Sequence, residues 1–262
     1  GPAGGGGGGA EVIAQTAYNA VPGQNLSVQV GMGGRGGRNS ADTIVYSATV
    51  GQTSKLGAIE ATYGGAGGSG GGSGSSATSG ASGGGGNLYF TGASGISGKG
   101  YAGGDAPPTA NASQRAAGGG GGVLGAGGTA VNFGTESGKG GAGGPGAYSA
   151  ATRDLKIYSA GGSAKGCKAF GATDYGATRA ATPAAANSGS GGGGGGGGNG
   201  SGCISEWYTS QMGGWGGSGV VAVSFVTPSS GGTEAQPAYY PFGPQNEVPL
   251  SSVLAGGWEI CY

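Results

Sequence analysis

Histidine is missing from this chain of 262 residues, and only 8% of its residues are charged. Without an imidazole, neither the Ser-His-Asp nor the Cys-His arrangement can be built, nor any zinc site with a His ligand. The acidic residues are scattered singly. Paired carboxylates for glycoside hydrolysis would have to be brought together by the fold, for example Asp154 with Asp174. Eleven Asp and Glu offset eleven Lys and Arg, so net charge provides no electrostatic attraction to nucleic acid or an anionic membrane. Cysteine is also sparse. Cys167, Cys203 and Cys261, odd in number and widely spaced, form neither a metal motif nor a disulfide framework. A Cys167–Cys203 bridge and free buried thiols both remain compatible with the sequence. No apolar run reaches the length of a membrane span, and no signal-peptide pattern is present. The chain starts Gly1-Pro2 without Met and stops at Cys261-Tyr262, and both ends read as cut. A non-catalytic protein with no metal and no cofactor is the expectation.

What the chain has in excess is glycine, 75 residues of it. Gly and Pro together make up about a third of the sequence, a level that without a collagen period normally signals low complexity. Disorder, however, usually goes with abundant charge. This chain keeps three Trp, twelve Tyr and several β-branched runs at low charge, so an ordered fold is expected. Glycine loses the most backbone entropy on folding, and there are too few large apolar side chains for a conventional core. Backbone hydrogen bonding must then carry the fold. Extended polyproline-II-type helices have three residues per turn and no internal hydrogen bonds. Made of glycine, they can pack side by side and exchange N–H···O bonds, supplemented by Cα–H···O contacts.

Along the chain, Glu11–Thr16 and Leu26–Val30 flank the turn Val21-Pro22-Gly23-Gln24, and alternation over Leu26–Val30 predicts a hairpin. Thr43–Ser47 predicts a third strand, and Leu56–Thr62 a fourth. From Gly64 the sequence alternates glycine runs (Gly64–Gly74, Gly83–Gly86, Gly118–Gly128, Gly138–Gly146, Gly189–Gly202, Gly213–Gly219) with short, varied segments. The octets Ser97–Gly104 and Ser137–Gly144 differ at one position and lie 40 residues apart, which suggests stacked equivalent units. Runs of nine to twelve residues would span roughly 28–37 Å. Val220–Val226 predicts a central strand paired with the N-terminal hairpin. The expected class is all-β/irregular: a small antiparallel β-sandwich framing a stacked polyglycine-II sandwich, without significant α-helix. The organisation expected is a framing region at 1–63, the glycine sandwich at 64–219, a closing strand at 220–226, and a Pro-rich linker with an attachment or next-module segment at 227–262.

The glycine runs satisfy G-x-G-x-x-G many times, but never after a strand and before a helix, as a dinucleotide site requires. Gly95–Lys99 and Gly134–Lys139 have the wrong spacing for a phosphate loop, and Gly100 and Gly140 stand where Ser or Thr is needed. The N-x-S/T sequons at Asn25, Asn111 and Asn199 carry little weight in so Ser-rich a chain. The large side chains sit between the rods: Tyr89, Phe90, Tyr101, Phe133, Tyr148, Tyr158, Phe170, Tyr175, Trp207, Tyr208 and Trp215. Aromatic rings on loop tips give large contact area at low entropic cost, so these are the candidate receptor contacts. The competing role for each is to shield the glycine sandwich from water.

Glycine motifs alternating with variable, aromatic-bearing loops over Gly64–Gly219 resemble the distal adhesins of long tail fibres in T-even-like phages. The resemblance rests on architecture and composition, not on a matched residue motif. It implies a sandwich of polyglycine-II helices whose loops bind a bacterial outer-membrane protein or surface glycan, alongside other tail-fibre proteins on an extracellular virion. The strand at Val28–Gly34 before the glycine runs, and Val220–Val226 after them, also resemble glycine-rich domains of other phage tail proteins. One departure is the lack of a long, glycine-poor fibre-attachment domain. Three other readings compete. A structural fibre or matrix component would use the glycine sandwich as a spacer. An ice-binding bundle would need stricter Gly-x-x repeats, and a glycine-rich receptor ectodomain more cysteines.

Overall fold

Hydrogen bonding along the first glycine run explains the architecture. In the computed structural model, which describes residues 4–14, 18, 24–40, 43–69, 75–87, 90–107, 116–132, 138–149, 151–152, 154–164, 183–195, 213–226, 247–248 and 257–261, successive amides of this run address three different neighbours in rotation. Gly4, Gly7 and Ala10 donate to the carbonyls of Gly195, Gly192 and Gly189. Gly5, Gly8 and Glu11 donate to Gly68, Gly65 and Thr62, and Gly6 and Gly9 to Gly118 and Gly121. Partners that step by three residues are the mark of an extended helix with three residues per turn. Two neighbours run antiparallel to the first rod and one runs parallel. In return, Gly85 and Ser82 donate to the carbonyls of Gly6 and Gly9, and Gly162 to that of Gly7. The rod at 4–11 is thus enclosed by segments 62–69, 82–87, 116–122, 159–164 and 188–195, as the predicted glycine sandwich requires.

Close approach demands glycine at particular positions. A Cβ on Gly5, Gly6, Gly8 or Gly9 would stand 1.9–2.2 Å from a backbone oxygen of the adjacent rod. In each case an α-carbon faces a carbonyl, the geometry of a Cα–H···O contact.

Further rods extend the lattice. The carbonyls of Gly31, Gly34 and Gly37 accept from Gly219, Gly216 and Gly213, again three residues apart. These rods are shorter than the glycine runs suggest. Gly118–Gly128 is not one rod, because the chain turns back at Gly122, whose amide donates to Gly125. Nor are the two octets stacked equivalents. Gly104 donates to Gly119, and Gly141 donates to Ala117; in this alternating lattice the first octet runs toward the Gly4 end of the bundle and the second runs away from it.

Strands gather in small antiparallel sheets, and no helix occurs among the described residues. β1 (Leu26–Gln29), β4 (Ser54–Leu56), β5 (Ile59–Ala61) and β11 (Glu247–Val248) form a sheet ordered β11-β1-β4-β5. The expected hairpin of Glu11–Thr16 with Leu26–Val30 lies in part outside the described residues, which omit 15–17 and 19–23. β1 pairs with β4 and β11, while Glu11 extends the first rod and is bonded to Thr62. The single strand predicted at Leu56–Thr62 is instead half of a tight hairpin. Its turn needs a left-handed residue, supplied by Gly57 at φ 56°. β2 (Arg38–Ser40) pairs with β3 (Thr43–Tyr46), which realises the third predicted strand. β10 (Ala222–Val226) pairs with β12 (Gly257–Cys261) and not with the N-terminal strands. Even so, Val221 and Val223 pack on buried Leu26 and Leu56, together with Tyr18 and Val28. This is the largest side-chain core described. Elsewhere, apart from Tyr158, Asn87 and Pro107, the buried residues described are Ala, Ser and Gly, so amide bonding carries most of the cohesion.

Candidate functional site

The lattice has two dissimilar ends. At the Glu11 end the rods are joined by short connections: the turn Ser97–Lys99, the bend Val123–Gly125, and β8 (Ala147–Tyr148) paired with β9 (Ile157–Tyr158). The Leu26–Leu56 core lies there too. At the Gly4 end stand the residues that flank the long variable segments. Ser69 and Ser75 bracket 70–74, and their backbones are bonded to each other. Asn87 and Phe90 bracket 88–89, also mutually bonded. β6 (Val131–Asn132) and β7 (Gly138–Lys139) bracket 133–137 as paired strands. Pro107 and Ala116 bracket 108–115, and Gly195 and Gly213 bracket 196–212, all on rods that end at this level. Segment 165–182 departs from Ala164 at the same end, where Ala164 donates to Gly141.

The aromatic candidates divide accordingly. Phe90 is exposed at the Gly4 end. Tyr101 is exposed toward the Glu11 end, and Tyr148, 67% exposed, lies at it. Trp215 is exposed on a flank, halfway along its rod, its carbonyl accepting from Ala184. Tyr158 corrects the expectation, because it is 5% exposed. Its hydroxyl donates to Asp154 Oδ2 at 2.7 Å, and the Lys156 ammonium sits 5.9 Å from its ring centroid. A ring with its polar tip satisfied inside the protein is packing, not a contact surface. Tyr89, Phe133, Phe170, Tyr175, Trp207 and Tyr208 lie outside the described residues, as do Cys167 and Cys203. In sequence all six of these aromatics follow described residues, Asn87, Asn132, Ala164 or Gly195, that stand at the Gly4 end.

Sequence reasoning missed several exposed aliphatic residues. Leu124 and Ile96 sit in short connections at the Glu11 end. Leu155 is 88% exposed at φ 52°, in the loop between β8 and β9. The Val123-Leu124 pair inside a glycine run was the available signal, since a rod interior has no room for it.

Ionised groups are few. Burial pushes the Glu11 carboxyl up, but bonds from the Lys99 ammonium and the Thr62 amide and hydroxyl outweigh it and hold the carboxyl below its ordinary value. Lys99 also donates to Thr62 Oγ1, at 2.7 Å. At Asp154 slight burial likewise raises the carboxyl, while the Tyr158 hydroxyl, the Lys156 amide and the Thr152 hydroxyl bring it below the usual range. Both carboxylates serve to fasten loops. Among the described residues no group of acidic or cysteine side chains is arranged to hold a metal ion, and no helix is long and apolar enough to cross a membrane.

The sequence profile of the glycine-rich domain family matches residues 1–226. This chain belongs to that family. The match runs from the first rod through β10, so it takes in the rods and strands β1 to β10, while β11 and β12 lie outside it. No curated protein and no solved structure matches the glycine-rich domain described above.

Proposed function

We propose that this glycine-rich domain is a non-catalytic receptor-binding adhesin of a bacteriophage tail-fibre tip. In this reading it acts outside the cell as part of the virion, and its variable segments recognise a bacterial outer-membrane protein or surface glycan. One observation supports the proposal: the described residues from which the segments with most of the aromatic candidates depart (Asn87, Asn132, Ala164 and Gly195) stand at one end of a stiff glycine lattice, and the Leu26–Leu56 core lies at the other. A rigid platform lowers the entropic cost of presenting Tyr and Trp to a flat partner. The same polarity leaves the Glu11 end, with β10–β12, for attachment to the fibre.

The test is binding of the purified chain to outer-membrane and polysaccharide fractions from a panel of bacteria. Saturable binding to one of them is expected, reduced at least about tenfold by Trp207→Ala or Phe90→Ala, a typical loss for an aromatic anchor. Tyr148→Ala, at the opposite end, should leave it unchanged. Lack of binding to any fraction, with regular self-assembly visible by electron microscopy, would overturn the adhesin reading in favour of a structural fibre component.

A further inference from the structure

A rod with threefold hydrogen-bonding symmetry has six sides, and five of those around residues 4–11 are taken by the segments described above. The sixth lies between 62–69 and 188–195. Gly4 and Gly7 turn their α-carbons to it. A Cβ on Gly4 would meet nothing nearer than Gly195 N at 3.3 Å, with Gly195 O and Gly68 O next at 3.4 Å, and one on Gly7 would approach Gly192 N no closer than 3.3 Å. Ala10, next in the three-residue register, carries a methyl group on this side.

The two flanking rods bring unmatched backbone groups to the same place. Gly65 and Gly68 donate to Ser82 and Gly85, but no carbonyl of the described residues accepts from Gly64 or Gly67. Gly191 and Gly194 donate to Ala160 and Ser163, but no described carbonyl accepts from Gly192 or Gly195. On the central rod the carbonyls of Gly5 and Gly8 receive no described amide and lie against the α-carbons of Gly67 and Gly64. Gly67 and Gly192 are buried, and a buried amide without an acceptor is costly. The sixth side is a cleft of about 130 Å³, closed on its outer side by Gly33–Gly37 and Gly213–Gly219.

We propose that this cleft takes an extended, glycine-rich strand from a second protein, which adds the sixth rod to the lattice. Donors three residues apart on both walls call for carbonyls at the same spacing, roughly 9 Å per turn of a polyproline-II-type helix. About half of the lining is glycine, and Glu11, Arg35 and Lys55 stand among the other lining residues. The recognition is the rod counterpart of strand addition to a sheet edge.

The probe is a lysine-flanked heptaglycine peptide, titrated into the isotope-labelled full chain and followed by NMR. Saturable shifts are expected at the amides of Gly64, Gly67, Gly192 and Gly195, with none from the heptaalanine analogue. Gly7→Ala places a methyl group in the cleft and should weaken binding at least tenfold while the remaining amide spectrum is retained. Gly4→Ala provides the same test should Gly7→Ala unfold the chain. Absence of shifts at millimolar heptaglycine, or equal shifts from heptaalanine, would overturn the proposal. So would peptide-independent dimerisation lost on Gly7→Ala, which would assign the cleft to a second copy. None of these readouts depends on binding to bacterial surfaces, so the result stands apart from the adhesin reading.

Discussion

The Nζ of Lys99 lies 2.8 Å from Oε2 of Glu11, joining residues 88 positions apart at one end of the lattice. Glu11 closes the central rod, and Lys99 tips the turn between two outer rods. Their ion pair, braced by Thr62, fixes the register between the centre and the periphery in a bundle that has almost no side-chain core.

This pair makes stability depend on pH at the acidic end. The folded-state pKa of Glu11 is depressed, so in the window below its ordinary value near 4.3 the unfolded chain binds more protons than the folded one. The contribution is present above that value and is lost as pH falls through the folded pKa. Since Lys99 is partly open to water, about 1 kcal/mol is expected after screening. Urea unfolding from pH 6 down to pH 3 should show this decline in the parent chain, and Lys99→Met should flatten it.

The first glycine run should not be uniformly sensitive to substitution. Gly6→Ala drives a methyl group to 1.9 Å from Gly162 O and is expected to cost about 3 kcal/mol or more, since backbone must move. Gly7→Ala meets nothing nearer than 3.3 Å and should stay within about 1 kcal/mol of the parent, helped by reduced freedom of the unfolded chain. An alanine scan of positions 4–9, read by urea midpoints, should show this three-residue rhythm. Uniform loss would contradict the rod geometry.

Ser82 is fully buried, and its hydroxyl has no hydrogen-bond partner among the described residues. Removing the hydroxyl while keeping the Cβ relieves an unsatisfied polar group, so Ser82→Ala should raise stability by about 1 kcal/mol. A lowered thermal midpoint would mean that the hydroxyl is satisfied after all.

Tyr158 should behave as a packing residue. Tyr158→Phe leaves Asp154 without its 2.7 Å donor and should cost about 1 kcal/mol. The Asp154 carboxyl should titrate closer to its ordinary value, measurable by carbon-detected NMR. Binding to any surface receptor should be unaffected.

Much of the framework was legible from composition. So high a glycine content with little charge and few large apolar residues leaves amide bonding between rods as the main source of cohesion, but the rod at 4–11 lies inside the region expected to be β-framing and was not foreseen. β1 and β3 were legible from alternation and β-branching. Rod direction was not. Ser97–Gly104 and Ser137–Gly144 are nearly identical yet run in opposite senses, because a glycine rod can pack parallel or antiparallel with little difference in its contacts. Pairing of β10 was equally hidden, since Val220–Val226 suits any apolar partner edge. Tyr158 looked like its exposed counterparts, and only the tertiary position of Asp154 distinguishes it.

The sequence by itself determined that this chain must be built from backbone: with no histidine, few charges and little apolar bulk, hydrogen-bonded glycine is the remaining source of cohesion. Only the tertiary structure decided which glycines touch which carbonyls, and why Gly4 and Gly7 differ from Gly5 and Gly6. The physical reason is that glycine carries no side chain to encode a partner. Register and direction are therefore set by the whole lattice and by a few side-chain locks such as Glu11–Lys99.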